Sequence, residues 1–143
     1  MIKVVQKDPH RSAVSLILLG DDARAIVSSV SEYGISTTLC PNIKEALRAL
    51  GRWQYHAVLC DLKMRGARQF LQYTRAKFPT VAVLVFTHPR DLRQGILATI
   101  NGASAYIQTP LEPETVVSVV EKALESKRLA SALKDRSDRP RAF

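Results

Sequence analysis

Residues 80–110 read TVAVLVFTHPRDLRQGILATINGASAYIQTP, and the order of apolar runs and breakers in this stretch decides the fold. Thr80–Phe86 is the most apolar run in the chain. Its continuous rather than alternating pattern predicts a central strand covered on both faces. Asp91–Ile100 follows as a helix with Leu92, Ile96 and Ile100 on one side, stopped by Asn101 and Gly102. Ala105–Ile107 is then a second, shorter strand. Two strands joined through a helix need a crossover, so the pair lies parallel.

Working outward, the same unit repeats. Val14–Leu19 (VSLILL) is a strand closed by Gly20, and Ala23–Tyr33 a helix carrying Ile26, Val27 and Val30, stopped by Gly34. Ile35–Cys40 (ISTTLC) is rich in β-branched residues. Asn42 is placed to cap the next helix, whose apolar side is Ile43, Ala46, Leu47 and Leu50. Ala57–Cys60 is a short buried strand ending at Asp61, and Gly66–Phe78 a helix ended by Pro79. Pro113 opens a last helix carrying Val116, Val117, Val120, Ala123 and Leu124. Five strands alternating with five helices predict an α/β fold, a five-stranded parallel sheet doubly wound with helices on both faces.

At 143 residues, 46% hydrophobic and 24% charged, the chain suits one globular domain rather than a disordered state. No apolar run approaches the ~20 residues of a membrane span, and no basic-then-apolar leader opens the chain. Cys40 and Cys60 are too few and too separated for a disulfide framework or a zinc site, so a cytoplasmic compartment is expected and a membrane partner is not. The net charge of +8 is mostly terminal: +2 in 1–13 and +4 in 127–143. The expected division is a tail at 1–13, a domain at 14–125, and a helix extension with a basic tail at 126–143. No aromatic residues interleave with the tail charges to stack on bases, so nucleic-acid binding by the domain itself is not expected.

Ligands of such sheets bind beyond the carboxyl ends of the strands. Asp21 and Asp22 follow the first strand, Asp61 the third, Thr87 and His88 the fourth, and Thr109 with Pro110 the fifth. Any one aspartate here could be a turn or cap residue. Three converging carboxylates instead imply a hard divalent cation, Mg2+ being the natural choice. There is no glycine-rich nucleotide loop, nucleophile elbow or zinc-protease motif. His10 and His56 read as tail and structural residues, Cys60 as core, and Trp53 and Tyr55 as sealing the loop before the third strand.

Residues 14–125 resemble the receiver domain of two-component response regulators, a flavodoxin-like (βα)5 architecture. The matching pieces are LLGDDA, AVLCDLKM, VLVFTH and GASAYIQTPLEPE, in order and suitably spaced. The resemblance implies a phosphorelay in which a histidine kinase or phosphotransfer protein supplies a phosphoryl group to Asp61. It implies Mg2+ held by Asp21, Asp22, Asp61 and the backbone carbonyl of Lys63. Thr87 matches the hydroxyl that reads the phosphoryl oxygen, and Tyr106 the aromatic switch that follows it. The module is then not an enzyme beyond receiver-type self-phosphorylation.

Three departures stand beside these matches. Thr109 occupies the position of the family's lysine, His88 replaces the usual small residue, and the loop after Met64 is about three residues short. A charge-assisted contact is worth roughly 1.5–3 kcal/mol, so losing the lysine costs about ten- to hundred-fold in rate or occupancy. Two functions follow: an atypical receiver phosphorylated weakly if at all, or a phosphorylation-independent pseudo-receiver that acts as a protein-interaction module. The helical pattern continues past Glu125 through Leu129, Ala130 and Leu133, which suits a linker to an output domain or a dimer contact.

Overall fold

A computed structural model describes residues 14–138; the expected tails at 1–13 and 139–143 lie outside the described residues. The strands are β1 (Val14–Leu19), β2 (Ile35–Cys40), β3 (Ala57–Asp61), β4 (Ala82–Thr87) and β5 (Ala105–Gln108). They form one five-stranded sheet in the order β2-β1-β3-β4-β5, every pair parallel. That is the expected doubly wound α/β sheet. Ala82 to Thr87 of β4 are all buried, as the unbroken apolar run predicts for a strand with neighbours on both edges and helices on both faces.

The expected first helix is two short pieces, α1 (Asp21–Arg24) and α2 (Val27–Ser31). Serines at 28, 29 and 31 weaken the segment, and the Ser31 hydroxyl donates to the Ser28 carbonyl, competing with regular helix. The remaining helices are α3 (Ile43–Arg52), α4 (Ala67–Lys77), α5 (Leu92–Ile100) and α6 (Pro113–Asp138). Asn42 caps α3 as expected, its Oδ1 accepting from the Glu45 amide at 2.9 Å. A short 3-10 turn, Pro89–Asp91, leads into α5.

One face of the sheet packs Leu16, Leu18, Leu59, Leu84 and Phe86 against α2 and α6. The other packs Ile17, Leu19, Val58 and Cys60 against α3 and α4, and Val83 and Val85 against α4 and α5. α6 buries Val116, Val117, Val120 and Ala123, then continues thirteen residues past Glu125 to Asp138. On α5 the side bearing Leu92, Ile96 and Ile100 faces outward at 39%, 43% and 71% exposure, while Gly95 and Ala98 face the sheet. Among the described residues no helix is long and apolar enough to cross a membrane.

Candidate functional site

The parallel strands deliver Gly20, Asp61, Thr87 and Thr109 to one edge of the sheet. β1 ends at Gly20, whose φ of +117° belongs to the region glycine favours. A Cβ there would lie 2.7 Å from the Asp61 Cβ and 3.3 Å from its Oδ2, so only a glycine lets Asp61 pack against the end of β1. Asp61 is half-buried, and its Oδ1 accepts from the Lys63 amide at 2.8 Å, which fixes one carboxylate oxygen and leaves the other for chemistry.

Asp61, Asp21, Lys63 and Met64 border one cavity of about 310 Å3. Asp22 does not join it. Its Oδ2 lies 3.9 Å from His88 Nε2, while His88 Nδ1 meets the Thr109 hydroxyl at 3.0 Å. A chain Asp22–His88–Thr109 therefore crosses the site where three carboxylates were expected to converge. Among the described residues no group of three His, Cys, Asp or Glu could hold a metal ion. Asp21 and Asp61 border the same cavity, whereas Asp22 faces the His88 imidazole. Mg2+ keeps several waters and needs only one or two carboxylates, so Asp21 and Asp61 still fit it as a weak site.

Thr87 is 2% exposed, and its hydroxyl has no hydrogen-bond partner. An unsatisfied buried hydroxyl costs about 1–3 kcal/mol, so it needs a reason. It borders a second cavity, about 260 Å3, with Lys63, Arg68, Asp91 and Gln94. Lys63 lines both cavities, but its Nζ leans to Asp91 Oδ2 at 3.9 Å rather than to Asp61. Thr109 is buried beside Thr87 and donates its amide to the Thr87 carbonyl at 2.8 Å; the Thr109–Pro110 peptide is cis.

No family model matches the chain. Over 125 residues it is 22% identical to the NtrX-like response regulator of Rickettsia bellii, covering 82% of this chain and 26% of that protein. Over 93 residues it is 28% identical to the DNA-binding transcriptional regulator NtrC of Escherichia coli K12, covering 64% and 20%. The structure of NtrX from Brucella abortus in complex with ADP superposes with a TM-score of 0.80 at 21% identity, covering 92% of this chain and 31% of that one. A response regulator receiver domain protein from Clostridium thermocellum superposes with a TM-score of 0.70 at 23% identity, covering 82% and 98%. The fold is that of a response-regulator receiver domain.

The chain spans 20–26% of the length of these two curated relatives. Its Tyr106 is half-buried against Val85 and Ala103, and its ring fills a notch at Gly95 of α5, where a Cβ would lie 2.8 Å from Cδ2. Nothing in the sequence pattern pointed to Gly95 or to Gly20 as contacts of the site, although an isolated glycine inside a helical pattern is a general sign of close approach. Cys60 points into the core as expected, and burial together with the adjacent Asp61 pushes its thiol up to about 12. His56 is structural, its Nδ1 accepting from the Ser15 amide at 2.9 Å. Tyr55 does seal its loop, donating to the Thr38 hydroxyl at 3.0 Å, but Trp53 does not: it is 63% exposed.

Proposed function

We propose that this receiver domain serves two-component signalling and accepts a phosphoryl group at Asp61, inefficiently. The observation that carries this is the buried Thr87 hydroxyl without a partner at the strand end next to Asp61. A phosphoryl oxygen is the acceptor it lacks. The free Asp61 oxygen attacks phosphorus, and the bond from phosphorus to the donor breaks with its electron pair leaving on the donor. The donor is a histidine kinase or a phosphotransfer protein. Thr87 then bonds the new oxygens, and Tyr106 in its Gly95 notch reports the change to α5. Asp21, Asp61 and the Lys63 carbonyl would hold Mg2+, which would supply positive charge to those oxygens. An output domain or dimer partner is expected along α6.

The second reading, a pseudo-receiver acting without phosphate, is favoured by the Asp22–His88–Thr109 chain. Magnitudes favour the first. A contact at 3.9 Å between side chains 42% and 47% exposed is worth about 1 kcal/mol or less, so it is a latch that an arriving dianion can open. The missing lysine removes roughly 1.5–3 kcal/mol and slows the reaction without abolishing it.

Acetyl phosphate with millimolar Mg2+, followed by intact mass, tests this. Slow, partial labelling is expected, absent in Asp61→Asn and raised about ten- to hundred-fold in Thr109→Lys. Rapid stoichiometric labelling of the unmodified chain would show that another cation replaces the lysine. No labelling in the unmodified chain, in Thr109→Lys or in Thr109→Lys with His88→Ala would leave only the pseudo-receiver.

A further inference from the structure

The loops before β3 and β4 lie at the amino ends of the parallel strands, opposite Asp61. Between them and α6 runs an open groove of about 980 Å3. Its floor is apolar, formed by Leu50, Phe78, Val81 and Leu124. Trp53 stands on its rim, 63% exposed, although the fold offers this ring nothing to pack on. Arg52, Lys127 and Arg128 border it, and no Asp or Glu is among its lining residues. We propose that this groove docks an acidic segment of a partner protein, with an apolar side chain seated beside Trp53 and a carboxylate facing Arg52.

An exposed tryptophan and an exposed arginine beside an apolar floor are of the kind that dominates protein interfaces. The charge selects among occupants. This chain carries +8 overall, with 21 Lys and Arg against 13 Asp and Glu, and both its ends are basic, so neither its tails nor a second copy complements a cationic groove. A nucleic-acid strand needs many free cations along its backbone. Here Lys127 Nζ already donates to the Pro79 carbonyl at 2.9 Å and Arg128 is paired with Glu125, so among the described residues Arg52 is the one guanidinium of the groove with no partner. One free guanidinium beside an indole suits a peptide with a few carboxylates and an apolar anchor. The helix extension past Glu125 forms one wall through Lys127, Arg128 and Ser131, which gives that extension a role within the domain.

Trp53 is the only tryptophan, so its emission reports this groove directly. A random-peptide display selection against the folded chain should enrich peptides that join Asp or Glu to Leu, Ile or Phe. A synthetic copy of an enriched peptide should shift Trp53 emission saturably. By calorimetry its affinity should fall about tenfold or more in Trp53→Ala and in Arg52→Glu, both exposed positions whose melting should be unchanged. Asp61→Asn should bind the peptide normally, which separates this site from phosphoryl chemistry. The proposal is overturned if no peptide is enriched, if enriched peptides lack carboxylates, or if both variants bind as well as the unmodified chain. It is equally overturned if polyuridylate, or raising the chain's own concentration, shifts the emission instead.

Discussion

Gly20→Ala should damage the fold and the phosphoacceptor together, because the new methyl has nowhere to go. The backbone at Gly20 holds φ at +117°, which costs a residue with a Cβ about 1–3 kcal/mol. The methyl would also sit 2.7 Å from the Asp61 Cβ and 3.0 Å from Phe86 Cζ. Neither neighbour is a flexible chain end: Asp61 closes β3, and Phe86 is 1% exposed in the core. Overpacking of this kind costs a further 1–3 kcal/mol or so. The total, about 2–6 kcal/mol, corresponds to a melting temperature lower by on the order of 10 °C for a domain of this size. Gly34→Ala is the matched control, with φ at +84° and nothing within 4 Å of the added Cβ. It carries only the backbone cost. Thermal melts followed by circular dichroism give the difference between the two variants, which is the packing cost at Asp61 together with the greater backbone cost of Gly20 at φ +117° and ψ 154°. Equal losses in Gly20→Ala and Gly34→Ala would refute the close approach of β1 to Asp61.

Thr109→Lys, described above, should raise Asp61 labelling by acetyl phosphate. The Cys60 thiol, held protonated to about 12, should resist maleimide reagents at pH 8 in the folded chain and react on unfolding. Because the unfolded thiol ionises near 9 and the folded one only near 12, the folded state binds more protons in between. This part of stability is intact below pH 9 and declines as pH rises towards 12; Cys60→Ala should flatten the alkaline limb of a melting-temperature profile. Asn42→Ala removes the side-chain acceptor for the Glu45 amide at the start of α3 and should cost about 1 kcal/mol in urea unfolding, with an unchanged m-value.

β4 was legible in the sequence because a strand with sheet on both edges and helices on both faces can hold only apolar residues, and TVAVLVF shows that directly. Asn42 was legible because capping is local. The carboxylate site was half legible. Strand ends placed Asp61 and Thr87, but the contact of Asp22 with an imidazole 66 residues away in sequence is one that only folding brings about. Trp53 misled for a related reason: a large apolar ring predicts burial only if the tertiary structure supplies a surface, and here Tyr55 occupies the sealing position. The outward face of α5 likewise inverts the usual sense of an apolar stripe. The helix must approach the Tyr106 ring closely, and only the small residues Gly95 and Ala98 permit it.

That close approach leaves α5 with little hold on the sheet. It buries one glycine and one alanine, whereas α6 buries three valines and an alanine. The larger α5 side chains Leu92, Ile96 and Leu97 keep 39%, 43% and 39% of their surface exposed, so α5 buries less apolar area than α6. Its amide protons should therefore exchange with deuterium well before those of α6, as a separate opening unit. A helix that buries less than its neighbours is the one that a new contact at the end of β4 moves most readily.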